Sequence, residues 1–540
     1  MNYTEMNRNS TAFVCGAIIV LICILLGSFR RGMHLDIART EAIKQAGLLD
    51  QKHNNYDFLT FTFPNSDLLP NDLTHRFVWQ KHRQQYDQLT ADGYVQAPHW
   101  VVRKATFEGD VATRGSESHI HLKNDGSLHH KQYIVPQNLA GKSLSEMDAE
   151  KIVYAALLKE CGFEKTDVTK LSAVPSQQPA RIDWQFDFQV LKGTQLSEGQ
   201  LRVVVLIAGE EVTLVRKYIH VPEDWQRAEF AKISMVSLLK SLAFFLWLLL
   251  ILLCSFFAGG GIRLHEMPIR KILLLACILL CIAVINAVNL WPFVFASFST
   301  AVDWHIQLAT SVPMQMIGLL VTVLPLVFTF FILIKNRFSE DNGRLAYHER
   351  LFAFLAGSFV GLLFFVVRHL LMIVLPAFDT FIQHDTFLYA NAYIPQFLLV
   401  GLSIIGLFRY AVSAFMFKYM FDWIGKFNIF LQLFCGIFVC MFIVLGWSTT
   451  EFEYIPTFVS LFLISLAIIV NGKKPHLLLA PHMFGTQYFF AYVAGVYGLL
   501  FCFIPMLKNH FPGAWIGYLV GLIMVLLIGL LFPIEREAAN

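Results

Sequence analysis

Charge is what this sequence lacks most. Asp, Glu, Lys and Arg make up only 15% of its 540 residues, and the formal net charge is +3. A protein that grips nucleic acid needs a basic face to meet the phosphates, so nothing here points to a nucleic-acid partner. Disulfides are lacking too: eight of the nine cysteines fall in apolar segments, where a free cysteine packs as a small hydrophobe. Only Cys161 lies in the charged stretch 30–232, which therefore has no internal disulfide and must stand on its own core. The first apolar run is followed by Gly27-Ser28-Phe29-Arg30-Arg31 and lacks a small-residue cleavage site, so it reads as an uncleaved signal anchor. The glycine run Gly259-Gly260-Gly261 has no phosphate-binding motif around it.

Apolar residues are what the chain has in excess, at 56% with 50 phenylalanines and a mean hydropathy of +0.54. From residue 233 onward, long apolar runs alternate with short polar loops. Unpaired backbone groups are intolerable in hydrocarbon, so such runs are helices that cross a bilayer. About ten spans are expected, near 11–29, 241–258, 272–295, 309–334, 351–376, 396–416, 428–447, 456–471, 486–506 and 514–533. The predicted fold class is mainly α: a polytopic transmembrane helical bundle with an extracytoplasmic α+β domain. Its parts are a tail and signal-anchor helix (1–29), the α+β domain (30–232), the membrane domain (233–534) and a short tail (535–540).

Orientation follows from loop charge, because Lys and Arg collect on the cytoplasmic side. Arg263, Arg270 and Lys271 follow the second span, Lys335 and Arg337 the fourth, Lys418 and Lys426 the sixth, and Lys473 and Lys474 the eighth. The intervening loops carry Asp303, then Asp379 and Asp385, then Glu451 and Glu453. The pattern predicts an inner-membrane protein with both termini cytoplasmic and residues 30–232 outside. Arg30 and Arg31 run against it, outweighed by the agreement of the later loops.

Within 30–232 one order of signals occurs twice, at about 33–136 and 143–222. A helical pattern from Asp36 stopped by Gly47 precedes strand-like Trp100–Arg103 and His119–Lys123, a turn at Asp125-Gly126, and a last run to Pro136. A helix opening at Ser145-Glu-Met-Asp and ending at Gly162 precedes strand-like Asp183–Phe188 and Leu201–Leu206, a turn at Gly209-Glu210 and a run to Val221-Pro222. That order suggests a duplicated helix-on-sheet unit. If Asp125-Gly126 is a two-residue hairpin turn, His121 lies opposite His130, and His119 shares their face. Three imidazoles on one face could bind a divalent, zinc-like metal; otherwise they line a solvent face.

The domain resembles the PepSY-like double domain that precedes the membrane part of some CAAX-protease-type (CPBP) intramembrane endopeptidases. The matching residues are Asp36-Ile-Ala-Arg, Pro98-His99-Trp100, Asp125-Gly126, Asp183-Trp184 and the exit Val221-Pro222-Glu223-Asp224-Trp225. Ser297–Trp304 is similar to a loop of the same group, so the resemblance spans roughly 30–310. It implies a hydrolase whose carboxylates and histidines activate water within the membrane, using Glu-Glu-x-x-x-Arg and Phe-x-x-x-His motifs. Phe365–His369 matches the second. No span carries an adjacent glutamate pair; Glu451 and Glu453, flanking Phe452, are the nearest substitutes.

Charges deep in a span usually face protein or water. Arg368 and His369 in the fifth span and Arg409 in the sixth are such residues. They could bind an anionic group, relay protons, or simply pair between helices. Without the glutamate pair, the expected role is a non-catalytic sensor or scaffold acting through the outer domain. The alternatives are an active endopeptidase with a divergent site built on Glu451, Glu453 and His369, and a transporter-like protein using Arg368, His369 and Arg409. Expected partners are the lipid bilayer and a membrane-embedded or extracytoplasmic protein or peptide.

Overall fold

The computed structural model describes residues 35–50, 60–66, 73–96, 99–107, 115–259, 267–337, 347–374, 388–424, 459, 486–508 and 511–531. A sheet domain comes first. Helix α1 (Arg39–Leu49) leads to β1 (Thr60–Ser66), two short helices α2 (Leu73–Lys81) and α3 (Tyr86–Ala91), and then β2 (Trp100–Thr106), β3 (Glu117–Leu122) and β4 (Leu128–Ile134). Helix α4 (Glu146–Cys161) opens the second half, followed by β5 (Val168–Gln178), β6 (Arg181–Val190), β7 (Gln200–Ala208) and β8 (Glu211–His220). Each half is thus a helix followed by four antiparallel strands. The two meanders join as one eight-stranded sheet in the order β1-β2-β3-β4-β8-β7-β6-β5.

Local chemistry accounts for the second half well. Ser145 caps α4, its side chain accepting from the Asp148 N–H, and Gly162 ends the helix in the left-handed conformation (φ +69°) that a side chain would strain. Trp184, Phe186, Phe188 and Val190 alternate along β6, and Leu201, Val203, Val205 and Ile207 along β7, so both strands bury one face. That face packs against Ala149, Val153 and Leu157 of α4 and against Phe77, Tyr86 and Leu89 of the inserted α2 and α3. The opposite face is polar: Asp187 of β6 accepts from Arg202 of β7 (3.1 Å) and from the Tyr218 hydroxyl of β8 (2.8 Å). Arg181, almost wholly buried, donates to the carbonyls of Pro136 and Leu139 and so ties down the linker between the halves. By contrast, β4 and β8 share only one paired position, Gln132 opposite Leu214. The seam between the halves is the thinnest part of the sheet.

Two expectations change in detail. Helix α1 runs past Gly47 to Leu49, because it packs Ala42 and Ala46 into a buried cluster that outweighs glycine's weak helix propensity. The strands β1 and β5, absent from the expected order, are both edge strands. Strand β5 buries Val168 but leaves most of its length exposed, so it lacks the apolar alternation that reveals a strand.

The rest is helical: α5 (Glu223–Gly259), α6 (Ile269–Asn289), α7 (Trp291–Ala296), α8 (Trp304–Arg337), α9 (Tyr347–Val374), α10 (Pro395–Ile424), α11 (Thr486–Gly498), α12 (Ile504–Lys508) and α13 (Ala514–Leu531). Among the described residues seven stretches are long and apolar enough to cross a membrane: Glu223–Gly259, Ile269–Asn289, Trp304–Ile334, Tyr347–Arg368, Pro395–Tyr419, Gln487–Leu507 and Ala514–Leu531. They correspond to seven of the expected spans. The spans expected near 11–29, 428–447 and 456–471 lie outside the described residues, Val459 apart. Helix α5, at 37 residues, is about 55 Å long, against a hydrocarbon core of about 30 Å. Its first turns therefore extend beyond a bilayer and meet the sheet domain.

Glycines allow two close helix approaches. A side chain at Gly357 of α9 would strike the Tyr492 carbonyl of α11, and one at Gly495 of α11 would strike the Phe354 carbonyl of α9. Gly517 and Gly521 of α13 likewise lie against Gln396, Leu399 and Ser403 of α10. Between α11 and α12 the helix widens into one π turn, Leu499–Phe503, ending two residues before Pro505, whose ring nitrogen has no hydrogen to donate.

Candidate functional site

The β3–β4 hairpin carries the densest group of titratable side chains that the sequence singled out. Its turn is a three-residue loop, not the expected two-residue one. The Gly126 N–H donates to the Lys123 carbonyl, the Lys123 N–H to the Ser127 carbonyl, and Gly126 takes φ +87°. This is a type I turn closed by a left-handed residue. The Asp125 carboxylate holds it by accepting from the backbone N–H and the hydroxyl of Ser127. The register then slips by one: Leu122 faces Leu128 and His121 faces His130, leaving His129 as a bulge. The expected His121–His130 juxtaposition is present, reached by a different route.

The bulge and the approach of β2 bring in two histidines that the sequence reading did not place in this group. His99, just before β2, meets His121 with Nε2 3.0 Å from Nδ1. His129 meets His130 with their Nδ1 atoms 2.9 Å apart. The rings of His121 and His130 stack, centroids 3.8 Å apart and planes 18° from parallel. His99, His121 and His130 are buried, and the His121 Nε2 is buried without a hydrogen-bond partner. Burial, together with repulsion from His99, Lys123 and Lys217, pushes His129 down to about 4. His130 is pushed down to about 3 by burial, with His129, His99 and Arg216 adding to it, and His121 is lowered strongly for the same reasons. These rings are therefore neutral in the folded domain.

His119 stands apart from that group. Its Nε2 lies 2.9 Å from Glu117, facing the helical bundle. An imidazole binds a metal along a lone pair in its own ring plane, so two stacked rings do not aim at one ion. Among the described residues, no group of three or more His, Cys, Asp or Glu side chains is placed to hold a metal ion.

Glu117 is the centre of a clamp on the helical part. Its carboxylate accepts two hydrogen bonds from Arg103 of β2 (2.7 and 2.8 Å) and one from the Thr300 hydroxyl (2.9 Å). Arg103 in turn donates to the carbonyls of Ala296 and Phe298, at the end of α7, where a helix leaves carbonyls unpaired. Burial alone would raise the Glu117 carboxyl, but hydrogen bonds from His119, Arg103 and Thr300 and the Arg103 charge hold it down at about 2. Around this polar centre Ala105 and Phe107 pack on Phe298, and Trp304 sits against Phe107, Phe295 and Phe298.

Two further contacts bind the sheet domain to the bundle. Arg76 of α2 pairs with Glu229 of α5 at 2.6 Å, both side chains almost fully buried, and Gln80 and Lys232 donate to the same carboxylate. Trp100, Ile120 and Leu122 share an apolar cluster with Leu35, Ala390, Leu398, Phe511 and Ala514. Segment 297–304, noted in sequence for its family resemblance, thus forms part of this interface. Arg103, Glu117, Arg76 and Glu229 were not singled out in sequence, since a charged residue in a strand or near the start of a helix reads as solvent-facing until a partner is seen.

In the bundle Arg409 of α10 lies over the ring of Trp247 of α5, 5.2 Å from its centroid, and the Trp247 indole N–H donates to Ser413, one turn on from Arg409. Arg368 is half-buried on α9. His369 is placed on α9 by its backbone alone, and Glu451 and Glu453 lie outside the described residues. No family model, no curated protein and no solved structure matches this chain.

Proposed function

We propose that this chain is a multi-pass membrane protein whose sheet domain lies on the extracytoplasmic side and works as a non-catalytic sensor or scaffold, reporting its own state to the bundle. The observation that carries the reading is the Arg103–Glu117 clamp, which joins two strands to segment 296–300, between α7 and the span α8. A domain merely tethered to a membrane needs no such contact. Here a change in the register or spacing of β2 and β3 acts on the approach to a span through three hydrogen bonds, with two more locking Arg103 to Glu117. The buried Arg76–Glu229 pair couples α2 to α5 in the same way. The resemblance to CAAX-protease-type enzymes fits this layout as ancestry, and the basic loops support the orientation.

The test uses full-length protein in native vesicles with its native cysteines replaced by alanine, carrying Ile306→Cys, an exposed position near the start of α8, as a reporter. Its labelling rate by a water-soluble maleimide is compared with and without Arg103→Ala. The reading expects the rate to change; an unchanged rate means the bundle does not follow the domain. Cleavage of membrane-embedded peptides that is lost in both Glu451→Gln and His369→Ala would overturn the non-catalytic assignment.

A further inference from the structure

The sensor reading leaves open what the sheet domain responds to, and the histidine cluster bears on that question. Four imidazoles from three segments meet around His121: His99 before β2, His121 on β3, and His129 and His130 on β4. The charges that reach them are of one sign. Lys123 acts from the hairpin turn, and Arg216 and Lys217 act from β8 across the seam. Lys217 is held there by the rings of Tyr94 and Phe163 and by the Asp92 carbonyl. His119, on the same strand, also acts on His121, while its Nε2 meets Glu117. The acids further along, Glu211 on β8 and Glu160 on α4, act on Tyr133 with Asp50, three residues beyond His130 on β4. A proton added to the cluster would thus face other imidazoles and fixed cations.

Resting on the sensor reading, we propose that this cluster is a proton-operated latch: neutral, its rings pack β3, β4 and the approach to β2 together, and proton uptake loosens the β3–β4 hairpin. The position suits the task. Strand β4 meets β8 at a single paired position, so little ladder on that side steadies the hairpin and its own packing has to hold it. Strand β3 carries Glu117 four residues before His121, so opening the hairpin pulls on the clamp that holds segment 296–300. The stacked His121–His130 pair is the element that cannot survive double protonation, since two imidazolium rings at that spacing repel with almost no water between them. The sign follows from linkage. The ordinary histidine value is 6.5 and the folded values lie below it, so the open state binds more protons at any pH under about 6.5. Opening is therefore favoured as pH falls from about 6.5 toward 4, and the latch is closed above that window.

Hydrogen exchange on the full chain in nanodiscs, compared at about pH 7.5 and about pH 5 after correction for intrinsic rates, tests this. Amides of β3 and β4 are expected to lose protection about ten-fold or more at the lower pH, while β6 and β7 keep theirs. His130→Gln removes one stacked ring, and His129→Gln, half-exposed and easier to accommodate, removes the bulge ring. Each is expected to shrink the acid response. Equal protection at both pH values in the native protein, or an undiminished response in both variants, overturns the latch. So does protection of the hairpin by zinc chloride at neutral pH that His121→Gln abolishes, since that marks a metal as the ligand. If the hairpin opens in acid while segment 296–304 keeps its protection, the latch stands and the sensor reading fails.

Discussion

Arg76 and Glu229 stand 153 residues apart in the chain and 2.6 Å apart in the fold, an ion pair with both side chains at most 3% exposed. It joins a helix inserted in the sheet domain to the stalk of a membrane-competent helix. Its energetics differ from those of a surface pair, because each charge has given up its water and depends on the other.

Removing one partner should therefore be costly. Arg76→Leu leaves the Glu229 carboxylate buried with Gln80 and Lys232, and is expected to destabilise the fold by about 3–5 kcal/mol. Arg76→Leu combined with Glu229→Leu should recover much of that loss, since two apolar side chains leave no stranded charge. Melting of the purified protein in detergent, followed by circular dichroism, checks both. A double variant as unstable as the single one would show that the pair matters for more than charge balance.

The α9–α11 crossing predicts a second effect. Gly357→Ala puts a methyl group against the Tyr492 carbonyl and Gly495→Ala puts one against the Phe354 carbonyl. Each should lower stability by about 1–3 kcal/mol, the usual cost of overpacking. Gly318→Ala on α8, with nothing within 4 Å of the added methyl, should not lower it. Thermal melts of the three variants side by side decide the point.

Acid should also weaken the clamp on segment 296–300, in a lower window than the histidine latch. Glu117 is held near 2 in the folded protein against an ordinary 4.5, so its contribution is complete above about 4.5 and is lost as pH falls toward 2. Glu117→Gln should flatten that part of the stability–pH curve while lowering stability at neutral pH. Denaturant midpoints of both proteins between about pH 7 and 3 provide the comparison.

Helix α4 offers a smaller and more local test. Ser145→Ala removes the side-chain oxygen that accepts from the Asp148 N–H, and should cost about 1 kcal/mol. Ser145→Asp should keep most of the cap, because its carboxylate can accept from the same N–H. Hydrogen exchange of the first turn of α4 reads the difference directly.

Several of these features were legible from the order of residues alone. Apolar runs must be helices in hydrocarbon, and seven expected spans match helices among the described residues. The cap at Ser145, the stop at Gly162 and the strands β6 and β7 follow from local rules of capping and alternation. Strand β5 did not, because it is exposed on most of its length and so shows no alternation. In the hairpin, the bulge at His129 was invisible: a two-residue turn and a three-residue turn with a bulge place the same pair opposite each other.

What the sequence by itself determined is the division into a charged, sheet-forming stretch and apolar helices, and with it the facing of His121 and His130. These depend on periodicity and turn chemistry, which act over a few residues. Only the tertiary structure decided that His99 and His129 join them, that His119 turns to Glu117, and that Arg103 and Arg76 hold the bundle. His119–Glu117 and His129–His130 are near neighbours in sequence whose side chains the fold turns together, and the other contacts link residues 14 to 195 apart, so no local pattern carries that information. Whether a charge meets water or a buried partner is decided by which surfaces the completed fold brings together.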